Sequence, residues 1–402
     1  MDRSRPRTLA AITILLVVIA SSGLLSACGE NAEESQLSGD RFAPVTYGAQ
    51  QKEGLPRLEP AEGVYFGVNL DWSNDSAAAF NDRLGNNAAV YVQFVRFPFS
   101  TEEKGYLVGF FEQVGAQGGI ALLTLEPAIP LEQIDAALAD ELARYLAGVA
   151  EQYDVAIMVR FAHEMNGSWY SWSQQPETYV AAFRTIAQAV HHTLPEAAMI
   201  WAPNHGAGYP FAGGPHEAKP GSPGFQLLDT NGDMQLNMRD DPYSPYYPGD
   251  DVVDWVGISL YHWGSAWPWG ENEIPEANKF VDHLTGNYQG FNGDERDVPD
   301  FYQLFAEDRG KPLAIVETAA LFNPEAGRSL ALEIKRAWWN QVFNAEVREQ
   351  FPQIKMINWF EWNKFETEVG GRLDWTLTRD ATIRAAFLED FENEAYLFAP
   401  LR

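Results

Sequence analysis

Two glutamates follow apolar runs in this chain, and the residues around them suggest acid–base chemistry. Glu164 follows a buried-strand pattern in the stretch VAIMVRFAHEMNGSWYSW (155–172), next to His163 and ahead of three aromatic residues. Glu317 ends the apolar run LAIV (313–316). Hydrolysis of a glycosidic bond requires two carboxyl groups. An imidazole and flat aromatic faces beside such a pair would suit a sugar substrate.

Each of these residue types also has a simpler interpretation. A single Glu at a strand end is more often a surface or helix-capping residue. A Trp at a strand end usually packs in the core, and we assign four tryptophans to packing: Trp201, Trp255, Trp338 and Trp339. We interpret most of the other histidines, including His191 and His192, as surface residues.

The segment YHWGSAWPWG (261–270) differs from these positions because its indoles lie in a loop that contains Gly and Pro. Exposed aromatic residues in such a loop predict additional sugar-stacking positions, and packing within the loop is the alternative. The three indoles are those of Trp263, Trp267 and Trp269.

The composition limits the kinds of partner. The chain has 402 residues, of which 46% are hydrophobic and 13% aromatic, so it can bury one large core or two ordinary ones. Its formal net charge of -28 disfavours nucleic acid and anionic surfaces, because phosphate binding depends on Lys and Arg. An uncharged or cationic partner fits this charge better, and we predict no nucleic-acid binding.

The first residues resemble an export signal. Arg3, Arg5 and Arg7 precede an apolar run (9–25) that ends in LSACG, which is similar to the lipobox of bacterial lipoproteins. A membrane-spanning anchor is the alternative, although the run is short for one. Residues 1–27 are therefore interpreted as a lipoprotein signal peptide.

The signal would leave Cys28, the only cysteine of the chain, as the lipidated residue. Residues 28–60 are rich in Glu, Gln, Ser, Gly and Pro and predict a flexible tether. Residues 61–402 would form the catalytic domain. We therefore expect an exported lipoprotein that is anchored to a membrane through Cys28, on the extracytoplasmic side of a bacterial cell.

Within residues 61–402, strand-like runs alternate with helical patterns. Eight runs read as strands: Gly63 to Leu70, Ala89 to Phe97, Gly119 to Leu125, Val155 to Ala162, Met199 to Pro203, Val252 to Tyr261, Leu313 to Val316 and Lys355 to Phe360. The helical patterns between and after them are Ser73 to Leu84, Glu102 to Gln113, Leu131 to Gln152, Pro176 to His192, Glu276 to Leu284, Asp300 to Glu307, Ser329 to Phe351 and Arg379 to Phe391.

This rhythm predicts an α/β fold of the (β/α)8 TIM barrel type. A doubly wound sheet is the alternative, but no Gly-rich phosphate turn follows the first strand. One connection, His205 to Asp251, is unusually long and lies between the fifth and sixth strands. Within it, DTNGD (229–233) could bind calcium, although a solvated turn is favoured because the Gly and Glu of a calcium loop are not in place.

In a barrel, catalytic residues lie at the carboxyl ends of the strands. Side-chain alternation places Arg160, Ala162 and Glu164 in one phase of the fourth strand, and Leu313, Ile315 and Glu317 in one phase of the seventh, so both acids could face the barrel mouth. Tyr261 could then reach a neighbouring carboxylate from the sixth strand. Three further residues at strand exits are candidates for binding hydroxyl groups: Asn204, Asp71 and Glu126.

Four motifs at these exits together resemble glycoside hydrolase family 26, the β-mannanase family of the retaining (β/α)8 clan. They are HEMNGSWYSW (163–172), WVGISLY (255–261), IVETA (315–319) and NWFEWNK (358–364). The resemblance extends from residue 63 to about residue 380. It implies a retaining mechanism, with Glu164 as the general acid and base and Glu317 as the nucleophile.

The resemblance also implies roles for the neighbouring residues. His163 would touch the sugar or orient Glu317, Trp169 would form a wall of the site, and Tyr261 would donate a hydrogen bond to the nucleophile. Trp359 would be the floor under the sugar at the cleavage point. Trp263 and Asn204 complete the predicted substrate site. No metal and no organic cofactor are implied.

The substrate implied by the family is a neutral plant-type polysaccharide, β-1,4-linked mannan first. The family also includes enzymes acting on mixed-linkage β-1,3-1,4-glucan and on β-1,3-xylan, and the tryptophan-rich loop after Tyr261 suits the glucanase branch equally well. A surface protein that binds polysaccharide without cleaving it is a third possibility, although both acids are present. We expect a monomer.

Overall fold

The computed structural model describes residues 55–265, 268–290, 293–327, 329–391 and 395–399. The predicted signal peptide, the lipidation site Cys28, most of the tether and Trp267 lie outside the described residues. Among the helices that the structure describes, none is both long and apolar enough to cross a membrane.

Eight parallel strands form the centre of the fold, each within a few residues of its predicted position. They are β1 Val64–Leu70, β2 Val90–Phe97, β3 Ile120–Pro127, β4 Ala156–Phe161, β5 Ala198–Trp201, β6 Trp255–Ser259, β7 Leu313–Thr318 and β8 Ile354–Glu361. Neighbours pair in chain order, and β8 pairs with β1, with Phe66 opposite Ile357, so the sheet closes. The predicted (β/α)8 barrel is confirmed.

Helices surround the barrel and connect its strands. They are α1 Ala77–Leu84, α2 Thr101–Gln117, α3 Ala136–Tyr153, α4 Pro176–Thr193, α5 Lys279–Leu284, α6 Tyr302–Glu307, α7 Ala331–Val342, α8 Ala345–Gln350 and α9 Ala381–Asp390. The predicted helix 329–351 is two helices, because the Asn344 side chain accepts hydrogen bonds from the backbone N–H groups of Glu346 and Val347 and so begins a new helix.

Apolar side chains fill two layers of the barrel. Alternate strand residues point inward and form a small inner core that includes Val92, Leu122, Met158 and Val316. The other strand residues point outward and pack against the helices. The four tryptophans predicted to be packing residues are at most 1% exposed, which confirms that interpretation: Trp201, Trp255, Trp338 and Trp339.

Long connections at the carboxyl ends of the strands add structure that the alternation does not predict. The connection after β5 contains a short helix, Phe225–Leu228. Within it, the Asp229 carboxylate accepts the backbone N–H groups of Asp233 and Met234, at 3.0 and 2.8 Å. The Asp229 carboxylate thus accepts hydrogen bonds from the backbone of its own segment, as in the solvated turn that the sequence favoured over a calcium loop. Directly after β8, the strands Asn363–Glu366 and Gly371–Asp374 form an antiparallel hairpin.

A buried carboxylate links β8 to the segment that follows this hairpin. Glu361 is fully buried and accepts three hydrogen bonds, from the backbone N–H groups of Leu377 and Thr378 and from the Thr378 hydroxyl, at 2.6, 2.9 and 2.6 Å. Both carboxylate oxygens are therefore occupied as acceptors.

We expect Glu361→Gln to reduce the free energy of unfolding by about 1–3 kcal/mol, because its amide NH2 would face a buried N–H donor. Chemical denaturation measures this change. The exposed Glu349 provides a matched control, and Glu349→Gln should leave the unfolding midpoint nearly unchanged. Equal midpoints for the two variants would contradict this account of Glu361.

Candidate active site

A cavity of about 770 Å³ opens at the carboxyl ends of the barrel strands. Both predicted catalytic glutamates line it, together with five of the other predicted site residues: His163, Trp169, Asn204, Tyr261 and Trp263. The barrel thus brings together residues that are separated by more than 150 positions in the chain. The position of this cavity is the one expected for a catalytic site in a barrel of this type.

Glu317, on β7, is held by two hydrogen-bond donors. Arg160 Nη2 lies 2.5 Å from Glu317 Oε1, and the Tyr261 hydroxyl donates to Oε2 at 2.8 Å. Glu317 is 6% exposed, and Arg160 is fully buried. Both neighbours therefore donate to the Glu317 carboxylate, and the guanidinium of Arg160 places a positive charge beside it.

Arg160 is positioned by its neighbours inside the barrel. Its Nε donates to the Thr124 hydroxyl on β3 at 3.1 Å, and its guanidinium carbon lies 5.1 Å from the centre of the Phe94 ring. Burial and then the charge of Glu317 raise the pKa of Tyr261 well above its usual value, so the phenol keeps its proton and remains a donor.

Glu164 lies in a turn of unusual backbone conformation. Glu164 and Ala162 both have positive φ, at 53° and 46°. Each such residue costs about 1 kcal/mol or more, and such strain concentrates at functional sites. The turn is fixed by hydrogen bonds from Glu164 N to Ala202 O and from Gly167 N to Glu164 O, both 2.9 Å. The turn, rather than strand alternation, directs Glu164 into the cavity.

The indole of Trp169 lies against this turn. Its Nε1 donates to Glu164 Oε2 at 3.2 Å. A Cβ at Gly167 would come within 2.5 Å of the indole ring, so only glycine allows this close approach. Trp169 is 36% exposed and presents its ring to the cavity.

The surroundings of Glu164 favour its protonated form. Burial, and then the negative charge of Glu317, raise the pKa of Glu164 to about 7. The neighbouring Ser259 hydroxyl, the charge of Arg160 and the indole N–H of Trp169 oppose this increase. Two carboxyl groups of one cavity thus have contrasting environments, which is the arrangement that separates an acid from a base.

His163 is a neutral residue in this site. Burial, and then the charge of Arg160, lower its pKa well below the usual value. Its Nε2 lies 3.0 Å from the Tyr170 hydroxyl, and the Tyr170 ring stacks on Trp172 with a centroid distance of 4.4 Å. The described contacts therefore connect His163 to this aromatic group.

Asn204, Trp263 and Trp269 line the cavity, as the sequence predicted. The Asn204 backbone is clamped by the Asn166 side chain, which accepts from Asn204 N and donates to Asn204 O at 2.8 Å each. The Trp263 ring packs edge-on against Trp375 at 4.9 Å.

Trp359 is in a different place from the one expected, and its assignment as the cavity floor is wrong. Its side chain is fully buried, stacks on Phe343 at 6.1 Å and donates to the backbone oxygen of Trp375 at 3.0 Å. Trp359 belongs to the outward phase of β8 and packs against the helix layer. Phe360 and Trp362 line the cavity instead.

Of the two remaining strand-exit candidates, Glu126 and Asp71, one lines the cavity and the other does not. Glu126 lines the cavity, and burial raises its pKa. Asp71 is not among the lining residues; its carboxylate accepts from Ser73 N at 3.2 Å and from Asn74 Nδ2 at 2.8 Å, and so stabilises the turn after β1. The NWFEWNK motif already contained Trp362, but the motif alone did not reveal which indole faces inward.

A second polar group, which the sequence analysis did not identify, lines another part of the cavity. It contains His205, His283 and Glu295, and Lys279 lies beside it. The expectation that most of the remaining histidines are surface residues is wrong for His205, His262 and His283, which are 9%, 1% and 8% exposed. Burial is the main factor that lowers the pKa of each to about 3.

Replacing Glu317 tests the electrostatic relation between the two glutamates. We expect Glu317→Gln to lower the pKa of Glu164 below 7, because the negative charge that disfavours its ionisation is removed. The carboxyl 13C signal of Glu164, followed by NMR across a pH titration, reports this value.

The control for this titration is Glu126→Gln. Glu126 lines the same cavity, but its charge is not among the influences on Glu164. In this control variant, the pKa of Glu164 should be the same as in the wild type. A Glu164 pKa that does not fall in Glu317→Gln would show that the two carboxyl groups are not electrostatically coupled.

Comparisons with known proteins match part of the sequence and the whole barrel. The family model described as glycosyl hydrolase family 26 matches residues 123–219, which include Glu164. Endoglucanase H of Acetivibrio thermocellus is 24% identical over 330 residues, which cover 80% of this chain and 29% of that protein. The chain therefore spans less than a third of the length of this relative.

Two solved structures share the fold. One is GH26C from a Muricauda species, with 11% identity, coverage of 84% of this chain and 87% of that chain, and a TM-score of 0.53. The other is the catalytic domain of the GH26 endo-beta-1,4-mannanase of Bacillus sp. JAMB-750, with 17% identity, the same coverages and a TM-score of 0.50. These two structures show the shared fold, and the family model that matches residues 123–219 confirms the resemblance to glycosyl hydrolase family 26 that the strand-exit motifs predicted.

Proposed function

We propose that this protein is a retaining glycoside hydrolase. It would cleave bonds in the interior of a neutral, β-linked polysaccharide. One observation supports this most directly: the cavity contains one carboxyl group with a pKa of about 7 and a second that is paired with Arg160 and Tyr261. The first group, Glu164, suits an acid catalyst, and the second, Glu317, suits a nucleophile.

In the first step, Glu317 attacks the anomeric carbon while Glu164 donates its proton to the departing glycosidic oxygen. The products are a glycosyl ester of Glu317 and a shortened chain with a new hydroxyl group. Burial still raises the pKa of Glu164 at this stage, but the ester carries no negative charge, so the second influence that raised this pKa is removed and the carboxylate form becomes more favourable.

In the second step, the Glu164 carboxylate takes a proton from water, and the resulting hydroxide attacks the anomeric carbon. The ester bond breaks, Glu317 leaves as a carboxylate, and Glu164 is protonated again. Arg160 and Tyr261 favour this departure because they donate to the carboxylate as its charge returns. Two inversions at one carbon give overall retention.

For the substrate, we propose β-1,4-linked mannan, so that the chain would act as an endo-β-1,4-mannanase. The cavity is lined by many aromatic faces, which suit the apolar faces of uncharged sugars. Mixed-linkage β-1,3-1,4-glucan is the second candidate, because the relative that is 24% identical is named an endoglucanase. Mannose and glucose differ only in the direction of the 2-hydroxyl group, so direct assays distinguish them.

Release of reducing sugar from galactomannan, glucomannan, barley β-glucan and β-1,3-xylan tests this function on the full chain. We expect release from mannans, with a loss of about 10²–10⁴-fold in Glu164→Ala and at least as much in Glu317→Ala. Glu349→Ala, on the exposed face of α8, is the matched control. Binding of a polymer without release by the wild type would instead support a capture protein.

The pH dependence tests the role of Glu164. We expect the rate on a polymer to fall as pH rises through about 7, because the proton that assists the leaving group is lost. Trp169→Phe removes a hydrogen-bond donor that stabilises the ionised form of Glu164. The variant should therefore raise the pKa of Glu164 and move the alkaline limb of the pH–rate profile to higher pH. A limb that stays in place or moves to lower pH would contradict the assignment.

We also propose that the protein is exported and is attached to a membrane as a monomer through lipid on Cys28. The arginines and the apolar run before the LSACG sequence support this. Mass spectrometry of the N-terminal peptide, after expression in a bacterium, should find a diacylglyceryl group on Cys28. An unmodified peptide beginning at Met1 would refute the anchor.

A further inference from the structure

One wall of the cavity carries a group of metal-ligating side chains that the proposed mechanism does not use. His205 follows β5, His283 lies in α5, and Glu295 follows the short hairpin formed by Gln289–Gly290 and Gly293–Asp294. His205 thus lies in the connection between β5 and β6, and His283 and Glu295 lie in separate parts of the connection between β6 and β7. Their hydrogen-bond partners do not include Glu164 or Glu317.

The distances within this group match those of a metal site. His283 Nδ1 lies 2.8 Å and His205 Nε2 lies 3.8 Å from the same oxygen, Glu295 Oε2. All three ligand atoms lie within 4.8 Å of one another. Zinc–nitrogen and zinc–oxygen bonds of about 2.0–2.2 Å in a tetrahedron separate neighbouring ligands by about 3.3–3.6 Å. Shifts of a few tenths of an ångström to about 1 Å in side-chain atoms would produce this geometry.

We propose that His205, His283 and Glu295 form a binding site for a divalent transition-metal ion of the zinc type. Two imidazoles and one carboxylate are a common ligand set for zinc. This departs from the expectation of no metal that the family resemblance implied. The cluster is a site in addition to the catalytic pair, and the proposal does not depend on which polysaccharide is cleaved.

The hydrogen bonds of the two imidazoles also bear on the proposal. His205 Nε2 lies 3.0 Å from the backbone oxygen of His283, and His283 Nδ1 lies 2.8 Å from Glu295 Oε2. A metal ion replaces these hydrogen bonds when each imidazole adopts its other tautomer.

Lys279, a cation beside the cluster, is itself paired with an acidic residue. Its Nζ lies 3.0 Å from Glu276 Oε2 and donates to the Gly264 backbone oxygen at 2.7 Å. Lys279 and Glu276 therefore form a pair of zero net charge beside the cluster. Glu295 remains as the charge that would attract a divalent ion.

The site would leave at least one coordination position open, because all three ligands line the cavity. Water or a sugar hydroxyl could occupy this position. The ion would also join the connection after β5 to α5 and to the segment around Glu295. It would therefore stiffen this wall of the cavity, as metal ions do when they cross-link separate loops.

Equilibrium dialysis against ZnCl2, followed by elemental analysis, tests the proposal on the full chain. We expect about one zinc ion per wild-type chain and an affinity at least about 10-fold weaker in Glu295→Gln. Glutamine retains an oxygen that can accept from His283, so this variant should fold like the wild type. His205→Gln provides a second variant that should have the same effect.

The exposed His192 provides the matched control, and His192→Gln should bind zinc like the wild type. Bound zinc should also raise the midpoint of thermal unfolding in the wild type and the control but not in Glu295→Gln. Absence of stoichiometric zinc in the wild type would overturn the proposal. Zinc binding that is unchanged in both Glu295→Gln and His205→Gln would overturn it as well.

Discussion

The contact between Arg160 and Glu317 is the interaction on which the site depends. Two opposite charges lie 2.5 Å apart in the interior of the barrel, and neither side chain is more than 8% exposed. A buried charge without its partner is strongly destabilising, so each residue requires the other. The pair joins β4 to β7, which are not neighbouring strands, so their side chains meet across the closed barrel. The local chemistry is therefore a consequence of the whole fold.

The second glutamate is controlled by different means. Glu164 has no cationic partner at hydrogen-bond distance among the described residues, and its surroundings consist of a strained turn, an indole N–H and the charge of Glu317. The same negative charge thus serves two purposes. It supplies the nucleophile, and, in addition to the larger effect of burial, it raises the pKa of the acid until the nucleophile has reacted. This relation explains how two identical residue types perform opposite tasks in one cavity.

Strand positions could be predicted from the sequence because both layers of the barrel impose alternation on apolar residues. The directions of the side chains just after the strands were harder to predict, because the alternation of inward and outward residues ends where the backbone leaves the strand. Glu164 reaches the cavity through two residues of positive φ, which no periodicity indicates. Trp359 was misplaced for a related reason, since its motif contains two indoles and only the strand register decides which one points to the helices. The cluster of His205, His283 and Glu295 depends on the paths of long connections, which carry no periodic signal.

Covalent trapping of the nucleophile would test the central claim most directly. A 2-deoxy-2-fluoro glycosyl fluoride of the preferred sugar slows both steps but leaves the first one faster, so the glycosyl ester accumulates. After proteolysis, peptide mass spectrometry of the full chain should find the added sugar on Glu317. A label on Glu164, or turnover to a product of inverted configuration without any labelled peptide, would contradict the assignment of Glu317 as the nucleophile.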